Sequence, residues 1–223
     1  LPNCFFQERM KLTDAEKIFT LLEKDFPNAH CELNYSTTFE LLVAVILSAQ
    51  CTDKRVNQIT PALFEKYSSP RDFASAPQEE LEKLIYSCGF YHNKAKNIIA
   101  AANAIVKDYG GKVPDTFDGL LSLPGVGRKT ANVVFSVGYG GDGIAVDTHV
   151  FRTAHRLNLS DGKTPFDVEK DLMKAVPEGM RNRVHHLLIF HGRYRCKSRQ
   201  PDCADCRLKE YCNYFKNKNE VEK

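Results

Sequence analysis

Four cysteines crowd into the last part of the chain as Cys196-x6-Cys203-x2-Cys206-x5-Cys212. Thiolates so close in sequence converge on one centre if the chain loops around it, and gathering that much negative charge requires a metal. Disulfides are the other use of an even cysteine count. Against them, the 223 residues exceed the size at which a small fold needs staples. The first ten residues, Leu1 to Met10, also carry neither the basic leader nor the apolar stretch of a secretory signal, and Met10 is the expected natural start. Metal ligation by Cys196, Cys203, Cys206 and Cys212 is therefore expected. Zinc commonly takes two short knuckles. Here one short knuckle is flanked by longer arms, which favours a wider iron–sulfur cluster and leaves zinc as the competitor. Cys4, Cys31, Cys51 and Cys88 are scattered and read as small buried hydrophobes.

The rest of the chain is dominated by helix signals. Thr13-x-x-Glu16, Thr37-x-x-Glu40 and Ser75-x-x-Gln78 each fit a capping box, Pro77 and Pro165 stand at first helical positions, and Gly89 and Gly110 follow apolar-periodic stretches as stops. The run Phe39 to Leu47 could be a buried strand, but its cap and its continuation through Ser48-Ala49-Gln50 favour a buried helix. An all-α fold of one or two domains is expected. Within that run Leu41 to Leu47 is the longest apolar stretch, far short of the roughly 20 residues of a membrane span, so no membrane partner is expected. Net charge is only +3, yet residues 181–223 hold 11 Lys/Arg against 5 Asp/Glu. That asymmetry suits a phosphate-binding face or an ordinary solvated one.

Two further constellations carry chemistry. In Leu120-Leu121-Ser122-Leu123-Pro124-Gly125-Val126-Gly127-Arg128-Lys129-Thr130, the leucines end one helix, Gly-Val-Gly forms a tight hairpin and Arg128 opens another helix. Glycines let a backbone approach closely, and the new helix points free N–H groups at an anion; a plain αα-hairpin without ligand is the alternative. Asp147, in Val146-Asp147-Thr148-His149, stands at the start of an amphipathic stretch, where an N-cap and a functional carboxylate can coexist. Gly138-Tyr139-Gly140-Gly141-Asp142-Gly143 contains G-x-G-x-x-G, but no strand precedes it, so it reads as a flexible inter-helix connection rather than a dinucleotide fingerprint.

Leu-Pro-Gly-Val-Gly followed by Lys129 and then Asp147, with the cysteine tail, resembles the endonuclease III family of helix-hairpin-helix DNA glycosylases. The likeness runs from about Lys11 to Cys212 and includes Leu47-Ser48-Ala49-Gln50, Gly89-Phe90-Tyr91 and His191-Gly192-Arg193. It implies two helical domains flanking a DNA-binding cleft: a six-helix barrel with the hairpin over 31–141, and a discontinuous domain of 1–30 and 142–223 carrying a [4Fe-4S] cluster on the four cysteines. The implied activity is a bifunctional DNA glycosylase and abasic-site lyase of base excision repair. It acts on double-stranded DNA containing oxidised pyrimidines or abasic sites, as a monomer in a bacterial or archaeal cytoplasm at the nucleoid.

Residue by residue, the resemblance makes Lys129 the nucleophile that forms a Schiff base, and Asp147 the carboxylate that stabilises charge developing on the sugar. An ordinary lysine is almost wholly protonated at neutral pH, so the amine must be freed. The helix N-terminus, Arg128 and partial desolvation are expected to help. Gln50 matches a residue inserted into the gap left by an extruded nucleotide, and Phe90 stands where the family commonly has Leu. Gly125, Val126, Gly127, Arg128, Thr130, His149 and Arg193 are the further DNA-binding candidates. Arg193, Arg195, Lys197, Arg199, Arg207 and Lys209 around the cysteines would grip phosphates or balance cluster charge. An adenine-mismatch glycosylase is the alternative within the superfamily, although Lys129 stands where those enzymes lack a lysine; a non-catalytic metal-bound DNA-binding module is the alternative outside it.

Overall fold

Several helices in this chain start at hydroxyl side chains. In the computed structural model, which describes residues 13–221, Thr13 accepts from Glu16 N–H and Glu16 returns the bond, so the expected capping box opens α1 (Asp14–Asp25). Thr37 caps α2 (Thr38–Ser48) alone, because the Glu40 carboxylate turns to Ser36 N–H at 2.6 Å. Thr52 and Ser69 start α3 (Asp53–Lys66) and α4 (Pro70–Ala74). The expected box at Ser75 does not form. Its hydroxyl donates back to the Arg71 and Asp72 carbonyls and ends α4. Pro77, extended at φ −60° and ψ 127°, is the N-cap of α5 (Gln78–Ile85) and not its first residue.

Gly89 likewise does not stop α5, which ends four residues earlier. The left-handed turn falls instead on Phe90, at φ 58°, which opens α6 (Tyr91–Asp108). Gly110 does end α6, at φ 61°, with Gly111 N–H donating to Ile105 O. After α7 (Phe117–Leu121) and the hairpin, α8 (Arg128–Val133) continues as a π-helical turn, Val134–Gly138. Then follow α9 (Thr148–Arg156), α10 (Pro165–Ala175) with Pro165 at its first position, α11 (Arg181–Phe190) with a π-helical turn His191–Arg195, and α12 (Asn213–Val221). No strand occurs among the described residues, so the all-α expectation holds. Cys4 and Met10 lie outside them.

Two hydrophobic clusters organise these helices. The first is built around α2, whose residues Leu41 to Leu47 are all 6% exposed or less, because a helix apolar on every side must be surrounded. It includes Val56, Leu63, Phe73, Leu81, Ile98 and Ala131. The second joins α1, through Ile18, Phe19 and Leu22, to Val150, Leu172 and Leu188 of the chain's other end. Full burial of such a leucine contributes about 1.5–3 kcal/mol, so α1 is anchored to the C-terminal helices. The connection from Gly138 to Asp147 runs between the clusters and is packed, contrary to the flexibility expected of it. A Cβ on Gly141 would strike the Phe135 ring, one on Gly143 would come within 2.8 Å of Asn132 Oδ1, and Arg181 pairs with Asp142 at 2.8 Å.

Candidate active site in the cleft between two helical clusters

A cleft of about 720 Å³ separates the clusters, large enough for a nucleotide-sized ligand. Lys129 reaches it from the start of α8, and Asp147 from the N-cap of α9. The hairpin sets the lysine's position. Gly125 sits at φ 74° against Asn97, where a Cβ would come within 2.5 Å of that side chain, so only glycine fits. Val126 is buried and its N–H donates to Leu123 O, so this residue packs the turn rather than offering a donor. Gly127 opens α8 with no side-chain cap, leaving first-turn N–H groups available to an anion beside Lys129 and Thr130.

Asp147 Oδ1 accepts from His149 and Val150 N–H, both at 2.8 Å. This is the N-cap bond expected of it, and it fixes the carboxylate at the cleft wall. His149 lines the same wall, with its Nδ1 3.3 Å from Arg152 Nη2. Sequence reasoning missed His185. It is 2% exposed yet lines the cleft, and its Nδ1 has no hydrogen-bond partner. Burial pushes its pKa down to about 4, against the Asp147 charge that raises it, so the imidazole is neutral at pH 7. The adjacent His186 is pushed down to about 3, again by burial first. The Val184-His185-His186-Leu187 string carried this signal, two histidines inside an apolar helix.

Two arginines among the DNA-binding candidates hold carboxylates. Arg128 Nε and Nη2 donate to both Glu169 oxygens, at 2.8 and 2.7 Å, and the guanidinium lies 4.9 Å from the Phe117 ring and 4.5 Å from the Phe166 ring. Arg193 Nη1 bridges Glu32 at 2.5 Å and Asp53 at 2.6 Å. Both fasten one hydrophobic cluster to the other. The surroundings of Lys129 differ from expectation accordingly: Arg128's charge is paired, and Lys129 is exposed to the cleft rather than desolvated. Gln50 lines the cleft in a left-handed turn at φ 52°, and Phe90 is 63% exposed on the neighbouring turn.

All four tail cysteines line one small cavity beneath α9 and the π-helical turn, walled by Leu157, Tyr214 and Phe215. Among the described residues no three potential ligands converge on the position of a single ion. The four cysteines line a space instead. Burial pushes the Cys206 and Cys212 thiols up, and charges on neighbouring cysteines add to this, so a bound cation would relieve a real electrostatic cost. Arg156 Nη1 donates to Cys196 Sγ at 3.2 Å, as suits a thiolate ligand. The all-sulfur donor set therefore fits a metal cluster. Of the surrounding cations, Arg195 pairs with Asp202 and Arg207 with Asp25, and Lys209 donates to Ala204 O; Lys197 and Arg199 are exposed. Cys88 is buried as expected, whereas Cys31 and Cys51 are only partly so.

Residues 43–178 match the HhH-GPD superfamily base excision DNA repair protein model. Endonuclease III of Bacillus subtilis (strain 168) is 54% identical over 188 residues, covering 84% of this chain and 86% of its own. That of Rickettsia conorii is 48% identical over 93% of this chain and 99% of its own. The solved "Structure of a Trapped Endonuclease III-DNA Covalent Intermediate: Estranged-Adenine Complex" superimposes with a TM-score of 0.89 at 47% identity, over 94% of this chain and all of that one. A thermostable thymine-DNA glycosylase, at 22% identity and a TM-score of 0.83, shares the fold. The chain therefore belongs to the HhH-GPD superfamily of base excision DNA repair proteins, in its endonuclease III branch of DNA glycosylases with abasic-site lyase activity.

Proposed function

We propose that this chain excises oxidised pyrimidines from double-stranded DNA through a Schiff base on Lys129 and cuts the resulting abasic site by β-elimination. The observation that carries this reading is that Lys129 and Asp147 face one nucleotide-sized cleft, each from the start of a different helix. The covalent DNA intermediate trapped in the related endonuclease III supports it.

The two domains are the two hydrophobic clusters, with DNA across the cleft. The neutral Lys129 amine attacks C1′ as the C1′–N bond breaks, and the base leaves with that electron pair and takes up a proton. Asp147, fixed by two backbone N–H groups, opposes the positive charge that grows on the sugar. Loss of the amine proton and opening of the sugar ring give the Schiff base; removal of a C2′ proton then expels the 3′ phosphate. Gln50 and Phe90 occupy the gap left in the duplex. Backbone N–H groups at Gly127 and the first turn of α8 bind a phosphate, with Thr130 and His149 alongside. Arg193 and Arg128 act as fasteners of the cleft rather than as phosphate contacts.

Cys196, Cys203, Cys206 and Cys212 would hold a [4Fe-4S] cluster, whose contribution when bound is to fold and brace the tail. Single-turnover excision on a panel of duplexes, each with one damaged base, tests the substrate class. Activity on oxidised pyrimidines above oxidised or mispaired purines is expected, and a preference for mispaired adenine would overturn the reading.

A further inference from the structure

Lys94 is 5% exposed, and the partner of its ammonium group is a carbonyl. Burial pushes its pKa below the ordinary lysine range. Its Nζ donates to Leu47 O at 2.8 Å, in the last turn of α2, where helix carbonyls lack intrahelical partners and a cation opposes the helix dipole. Three residues later comes Gln50. Between them the chain turns tightly, with Ala49 N–H on Ile46 O and Cys51 N–H on Ser48 O, and Gln50 is held at φ 52°.

The same lysine sits in the first turn of α6. Its backbone N–H donates to Phe90 O at 3.0 Å, and Phe90 is held at φ 58°. The two turns also touch each other: Cys51 Sγ is 3.5 Å from Cys88 Sγ, and a Cβ on Gly89 would lie 3.7 Å from Gln50 O. Left-handed conformations at non-glycine residues persist only where the surroundings over-determine them. Lys94 is bonded to both turns, through its side chain to one and its backbone to the other.

We propose that Lys94 is a positioning residue that braces the turns carrying Gln50 and Phe90 as one rigid wedge for extruding the damaged nucleotide. This rests on the proposed insertion role of those two residues. A wedge must displace a stacked base against a cost of a few kcal/mol, and a turn that yields transmits none of that work. Without the amine, Leu47 O is left buried and unpaired and the turn before Gln50 loosens.

The test compares single-turnover excision of one oxidised pyrimidine in a fully paired duplex and in a duplex whose neighbouring pairs are mismatched, so that extrusion is already easy. Lys94→Met keeps the apolar stem and removes the donor. It should slow the paired duplex by ~10-fold while leaving the loosened duplex within ~3-fold, and Lys94→Arg should restore most of the paired rate. Equal loss on both duplexes, loss on neither, or failure of Lys94→Arg to restore the paired rate would overturn the bracing role. Gln50→Ala and Phe90→Ala are run alongside. If they show the paired-duplex defect and Lys94→Met does not, the lysine's role alone fails; if neither shows it, the insertion role fails and the proposal with it.

Discussion

Removing the Arg128 guanidinium should cost more stability than neutralising the carboxylate that it binds. The pair joins the hairpin of the first cluster to α10 of the second through two hydrogen bonds, but its halves differ in access to water: the Glu169 side chain is 10% exposed and that of Arg128 is 43% exposed. Breaking a fully buried pair costs about 3–5 kcal/mol, because a charge is stranded. Arg128→Ala strands the buried Glu169, but the pair is open to water on the arginine side, so we expect ~2–3 kcal/mol. In Glu169→Gln the guanidinium keeps its water and its stacking on Phe117 and Phe166, and the loss should be about 1 kcal/mol. For a chain of this size the arginine variant should melt roughly 5–10 °C lower. Thermal unfolding followed by circular dichroism measures both single variants and the double. The double should be no less stable than Arg128→Ala alone, since no charge is then stranded. A larger loss in Glu169→Gln, or a double variant equal to the sum of the singles, would refute the reasoning.

Three other expectations follow from the site. His185 and His186 have folded pKa values of about 4 and about 3 against an ordinary 6.5, so the unfolded chain binds more protons below pH 6.5. Stability is then full above that pH and falls as pH drops toward 4, by on the order of 3 kcal/mol for His185. His185→Asn should flatten the fall of the urea midpoint between pH 7 and pH 4.5, and an unchanged fall would contradict the assignment. Asp147→Asn keeps an N-cap but removes the charge, so base excision should drop ~10²-fold or more while cleavage of a preformed abasic site suffers less; equal losses would point to damaged geometry. Purified protein should carry about four irons and four sulfides, and Cys203→Ala should lose them together with tail folding. Stoichiometric zinc without iron would exclude the cluster.

Much of this was legible in the sequence because it rests on local signals. The cap at Thr13, the stop at Gly110 and the turn at Gly125 are made mostly by neighbours in sequence, and each forms where the chain predicts it. What failed was also physical. Ser75 has the residue types of a capping box but sits where α4 still needs its hydroxyl, and Gly89 offers a turn that the chain makes at Phe90. Long-range partners left no local trace. Glu169 lies 41 positions from Arg128, and Glu32 and Asp53 lie 161 and 140 positions from Arg193, the arginines that they bind. Motif reading therefore assigned Arg128 and Arg193 to DNA with no sign of the carboxylates they hold, on which the fastening role proposed for them rests.

The identity of the nucleophile is the centre of the account. Incubating the protein with a duplex containing one abasic site and then adding borohydride reduces any Schiff base to a stable covalent adduct. The wild-type chain should be trapped. Lys129→Gln keeps a long polar side chain, should still bind the duplex because phosphate contacts are distributed, and should give no adduct. Undiminished adduct from Lys129→Gln would mean that another amine attacks C1′, and the assignment of Lys129 would be wrong.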